Sequence, residues 1–172
     1  MNAFVAALQL LVATAFLSIP LVRHRYGPTA MAGAEAELER QGIRTTVLTE
    51  NGMRFDAGGH ETAIPASVAA VMAAVAALNL SGGPWAETLT WVFQSIVLVG
   101  NCLILHSQLT AVKSVQTAFA RKGDPMLARI DVPALLKAAE NGFPSWVGAL
   151  QNVRHAVVFG ASILALTVMS LA

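Results

Sequence analysis

Glu87, Gln94, Asn101 and Gln108 recur every seven residues along a stretch that is otherwise almost wholly apolar. On an α-helix a seven-residue repeat keeps nearly one face, drifting about 20° per repeat. Gln94 and Asn101 lie deep inside the apolar run, so that face should meet protein and not lipid. Such a stripe can be a polar path that touches an ion or small molecule. It can also be interhelical hydrogen-bond glue, worth about 0.6 kcal/mol per contact on average, and glue is the plainer reading. The histidines offer a second chemistry. His106 closes this run and His155 opens the last one, and two imidazoles at similar depth could clamp a metal such as the iron of haem b. The plainer reading is interfacial hydrogen bonding, so no cofactor is expected. A single cysteine, Cys102, excludes a disulfide framework and a cysteine zinc site. No GxGxxG, Walker loop or HExxH occurs, nor a carboxylate pair or Ser/His/Asp set. The chain is therefore expected not to be an enzyme.

The elements that must position these residues follow from composition. Of 172 residues, 55% are hydrophobic and 12% charged, with a net charge of +1. A soluble domain is about 45–50% apolar and about 25% charged. Half the usual charge cannot clothe a surface in water, which excludes a soluble enzyme domain and a disordered regulator. A net charge of +1 offers no basic field for nucleic acid. A spanning helix needs about 20 mostly apolar residues. Four stretches fit: residues 4–22, 64–80, 85–105 and 154–172. The cytoplasmic segments are then residues 23–63 and 106–153. All eleven Lys and Arg fall between the apolar runs of spans one and two or of spans three and four, the last of them, Arg154, standing just ahead of the apolar run that begins at Ala156. By the positive-inside rule both charged segments are cytoplasmic and both termini lie outside. Arg23-His24-Arg25 follows the first apolar run, the reverse of a secretory signal. The expected fold is an all-α membrane protein of four transmembrane helices, forming one domain in the inner (plasma) membrane.

Short elements fill the cytoplasmic segments. Gly27-Pro28 is expected to break span one, and Thr29 to cap a separate helix that stops at Gly42. Residues 43–50 are rich in β-branched types, and Asn51-Gly52 follows before Met53-Arg-Phe-Asp56. That pattern predicts a small β-hairpin. A lone hairpin is marginal, so Thr45, Val47, Asn51, Gly52 and Phe55 are candidate partner-docking residues. A helix running on from span three should end at Gly123-Asp124-Pro125. Asp131 should cap another, stopped by Asn141-Gly142. In span two, Ala66, Ala70 and Ala74 form a small-residue row at the spacing that lets helices approach closely. It could pack inside the bundle or against a partner.

The usage of Ala, Val and Arg points to a high-GC bacterium such as an actinobacterium. Leu21-Val-Arg-His-Arg-Tyr-Gly27, Ala34-Glu-Ala-Glu-Leu-Glu-Arg-Gln-Gly42 and the region from Thr45 to Ala63 resemble small mycobacterial membrane proteins. One such type is an accessory subunit of the MCE lipid-import complex. The resemblance covers mainly about the first 65 residues and carries no functional residue across. It implies a non-catalytic helper of a transporter whose permease, ATPase and lipid tunnel are other chains. Small accessory subunits of the actinobacterial respiratory supercomplex fit the same composition almost as well.

Overall fold

The computed structural model of the chain describes residues 2–56 and 60–171. Helix is the only regular structure among them. The α-helices are α1 (Asn2–Arg40), α2 (Val47–Glu50), α3 (His60–Ser81), α4 (Ala86–Leu109), α5 (Ala111–Lys122), α6 (Val132–Asn141) and α7 (Trp146–Ser170), with a 3-10 turn at Leu127–Arg129. Four helices are long and apolar enough to cross a membrane: α1, α3, α4 and α7. The all-α expectation and the four spans stand on that ground. The chain divides into two compact units.

The first unit comprises Met1–Pro20, Gly59–Leu105 and Gly148–Ala172. Its four helices bury Val5, Val12 and Phe16 of α1, Met72 of α3, Val97 of α4 and Val158 and Ala165 of α7 in one cluster. The turn at Gly82-Gly83-Pro84-Trp85 joins α3 to α4. Large apolar side chains also cover the outside: Leu11, Ile64, Ile96, Val99, Leu103 and Ile163 are all exposed. Lipid tails are as apolar as leucine, so this outer coat carries no penalty in a bilayer, whereas in water it would aggregate.

The second unit comprises Leu21–Gly58 and His106–Val147. It is a small helical core of Ala34, Leu38, Val47, Leu48, Phe119 and Leu135 with their neighbours. Two expectations fail here. First, Gly27-Pro28 does not break the helix, and α1 runs unbroken for 39 residues. Pro28 removes one backbone donor, but packing outweighs that loss. Arg23 donates to the carbonyls of Arg54, Phe55 and Asp56 at 2.9–3.3 Å. Gly27 admits the Asp56 backbone where any side chain would collide. Ala30, Ala34 and Leu38 are fully buried on the following turns.

Second, the predicted β-hairpin over residues 43–56 is absent. Val47 and Leu48 are adjacent and both fully buried. In a strand they would point to opposite faces, so one would be lost from the core. A helical turn buries both, each worth about 1.5–3 kcal/mol. Asn51-Gly52 closes that turn instead of joining strands. The Gly52 N–H bonds the Thr49 carbonyl at 3.1 Å, and the Met53 N–H bonds the Leu48 carbonyl at 2.8 Å. This is a Schellman stop with Gly52 at φ +66°. Of the candidate docking residues, Val47 belongs to the core. Thr45 and Asn51 are half-buried, Gly52 is exposed, and Phe55 packs partly against the core.

The other stops and caps fall where expected. Gly42 ends α1 with the same pair of bonds, 2.9 Å each. Gly123 ends α5, and Asp131 caps α6 by accepting from the Ala134 N–H at 3.0 Å. Span three does not continue unbroken, because Thr110 separates α4 from α5. At the end of α1, Glu37 accepts from Arg40 and from Gln41, and the Gln41 side-chain oxygen accepts from the Asp131 N–H at 2.8 Å. The Arg40 guanidinium, and after it the Gln41 amide, hold the Glu37 carboxyl at about 2, well below its ordinary 4.5.

Candidate functional site

The first unit keeps its polar groups inside. On α4 the buried residues are Ala86, Thr90, Gln94, Val97 and Asn101. Steps of four, four, three and four residues follow the helical period, so all five share one face. Thr90 and Asn101 stand about 16 Å apart at 1.5 Å per residue. Each polar member of this stripe meets a polar partner from another helix.

The first layer lies beside the α3–α4 turn. Gln9 of α1 donates to the Thr90 hydroxyl at 3.1 Å. Asn79 of α3 donates to the Gln9 side-chain oxygen at 3.1 Å and to Thr90 at 2.8 Å. The Thr90 hydroxyl donates in turn to the Ala86 carbonyl at 2.7 Å. Three helices are thereby tied at one level, with both amides and the hydroxyl engaged. One turn further along α4, Gln94 donates to Ser162 of α7 at 2.8 Å.

The third layer is ionisable. His155 Nδ1 lies 3.0 Å from the Asn101 side-chain oxygen. Arg154 Nη2 lies 3.3 Å and 3.1 Å from Nδ1 and Nε2 of the same ring. A neutral imidazole protonated at Nδ1 satisfies both neighbours: it donates to Asn101 and accepts from Arg154 at Nε2. The Arg154 guanidinium also stands 6.0 Å from the centre of the Phe16 ring, within cation–π range. Arg154 is 6% exposed, and no carboxylate pairs with it among the described residues. Three buried polar atoms here have no partner: Gln94 Oε1, Asn101 Nδ2 and Arg154 Nε.

The sequence-derived stripe is therefore half present. Gln94 and Asn101 are buried, whereas Glu87 and Gln108 are exposed. The drift of the heptad repeat turns Glu87 about 60° from the centre of the buried face. Gln108 stays on that face but belongs to the second unit. His106 and His155 also fall in different units. His106 is exposed, and a metal at His155 would have to displace one of its hydrogen bonds. Ala70 and Ala74 point outward and Ala66 is half-buried. The inward face of α3 is Ala69, Met72, Val75, Ala76 and Asn79. Cys102 is a free thiol on the outer surface.

Sequence reasoning missed Asn79, Thr90, Ser162 and Arg154, and gave Gln9 no partner. Gln9 carried a signal, as the one strongly polar residue of span one. The last apolar run starts beside Arg154, so the sequence groups it with the loop charges. No family model, curated protein or solved structure matches the chain.

Proposed function

We propose that the chain is a non-catalytic integral subunit of a larger membrane assembly, stabilising or regulating it through helix packing and cytoplasmic contacts. The observation that carries this reading is the outward Ala70–Ala74 row on α3. Lipid needs no small residues there, whereas a partner helix uses them to bring its backbone close. The polar residues of the spans support the same reading, since Gln9, Asn79, Thr90, Gln94 and Ser162 bond one another. The charge map supports cytoplasmic loops, with both termini outside the plasma membrane. The second unit is then the cytoplasmic contact surface. The resemblance of the first third of the chain makes an actinobacterial MCE-type lipid importer, with its permease and ATPase, the first assembly to test. A respiratory supercomplex is the second.

A photo-crosslinking residue at Ala70, set against one at Val99, tests the packing claim in native membranes. Adducts of Ala70 with one discrete polypeptide, and of Val99 with lipid only, are expected. Lipid adducts alone from both positions contradict it.

The unpartnered atoms of Gln94, Asn101 and Arg154 favour a second reading, a polar path for a small ion. Proteoliposomes carrying Gln94→Leu with Asn101→Leu distinguish the two. A path predicts lower chloride or proton flux than the parent protein. Glue predicts unchanged flux and a lower Tm.

A further inference from the structure

Of the eleven Lys and Arg, Arg154 alone lies in the first unit, and it is buried there. A buried guanidinium needs a counter-charge and acceptors for its N–H groups, because burial penalises an unpaired charge far more than a neutral dipole. Its neighbours do not supply them. His155 offers a neutral ring to Nη2, and Phe16 a π face 6.0 Å from the guanidinium carbon. No carboxylate reaches Arg154 among the described residues, and its Nε has no acceptor. A second donor is stranded beside it. Asn101 is fully buried; its Oδ1 lies 3.0 Å from His155 Nδ1, whereas its Nδ2 has no partner. Each of the two orphan nitrogens therefore belongs to a group already bonded to the same imidazole. The remaining orphan, Gln94 Oε1, is an acceptor in a different layer. Gln94 stands seven residues, about 10 Å, back along α4.

The chemistry of these donors says what fits. Both orphans at this level are N–H groups, and the one formal charge is positive. The ligand must accept, carry negative charge and have no hydrogens of its own to place. Water could accept from both donors, but its own two hydrogens would then need acceptors, and the charge would stay uncompensated. Arg154, Asn101 and His155 are each 7% exposed or less. Such burial suits a single small ion and leaves no approach for a lipid headgroup or a partner's carboxylate. We infer that the first unit binds a small monovalent anion of the chloride class on Arg154 Nε and Asn101 Nδ2, with His155 holding both groups in place. The ion neutralises the buried guanidinium and fastens α7 to α4 where the hydroxyl and amide layers end. It is a resident ion, so the site needs neither a partner assembly nor a flux through the bundle.

The full chain in mild detergent, moved from sodium gluconate to sodium chloride at constant ionic strength, tests this by thermal melting and by equilibrium dialysis against radiochloride. The parent protein should retain about one chloride per chain. Its Tm should rise by about 5–10 °C at a hundredfold excess of chloride over its Kd, since the ion binds only the folded chain. Bromide should act as chloride does. Arg154→Met should retain no chloride and melt at one temperature in both salts, because it removes the charge that needs the ion. Asn101→Ala keeps the guanidinium and loses one donor, so it should bind about tenfold more weakly, and it carries the test if Arg154→Met does not fold. Lys137→Gln, on α6 beside Glu140, should respond to chloride as the parent does. Equal melting of the parent in the two salts with no chloride retained overturns the site. Chloride bound as tightly by Arg154→Met or Asn101→Ala as by the parent places the ion elsewhere and overturns it too.

Discussion

Asn79 shows how a single side chain can organise a bundle in lipid. In water its amide would have little to gain from a neighbour, since solvent satisfies it equally well. In hydrocarbon it must bond inside the protein, and it reaches both Gln9 and Thr90. Replacing Asn79 by Leu removes two interhelical bonds and leaves the Gln9 oxygen without a donor. The loss should be about 1–2 kcal/mol, at up to about 1.7 kcal/mol per contact. Reversible unfolding in bicelles would show it as a lower midpoint, and an unchanged midpoint would deny the layer its role. Glu37 carries a different test. Its folded pKa of about 2 lies below the ordinary 4.5, because Arg40 and then Gln41 bond the carboxylate. The stabilisation is therefore complete above about pH 4.5 and fades as pH falls toward 2. The Tm difference between the parent protein and Glu37→Gln should shrink over that interval and be constant from pH 5 to 7. A difference that stays flat down to pH 2 would refute the linkage.

Helices were legible where the signal was local. Gly42, Gly123, Asp131 and Asn141-Gly142 mark the ends of α1, α5 and α6 as their residue types dictate. The apolar runs give all four long helices for the same reason. What failed were signals that tertiary packing outweighs. Gly27-Pro28 reads as a break, yet Arg23 and the Asp56 backbone hold the helix together across it. The β-branched run with Asn-Gly reads as a hairpin, yet Val47 and Leu48 can both be buried only in a helical turn. Asn-Gly serves both outcomes, because each needs a positive φ at the glycine. Gly52→Ala should thus destabilise the second unit by about 1–2 kcal/mol, the cost of a left-handed alanine. Hydrogen exchange at Met53, whose N–H closes the turn, would report it. Slow exchange unaffected by the substitution would count against the Schellman stop. The site was half legible for a related reason. A heptad search finds polar residues on one helix, but partners such as Asn79 and Ser162 depend on which faces of other helices meet.

As a whole molecule the chain divides its polarity in two. Its spans turn amides, hydroxyls and one arginine inward and apolar side chains outward. Nearly all its charge belongs to a second helical unit with an apolar core of its own. A protein so arranged has lipid-compatible walls on its spans, a row of small residues on one of them, and a second compact unit rich in charge. Its proposed work is to be held by something larger. The most direct test is purification from native membranes in mild detergent, with the mass of the particle measured by light scattering and its subunits by mass spectrometry. The account predicts a particle several times the 18.0 kDa of the chain, with the same integral membrane proteins present in fixed ratio. A monodisperse monomer of 18.0 kDa with no stoichiometric companion would contradict it.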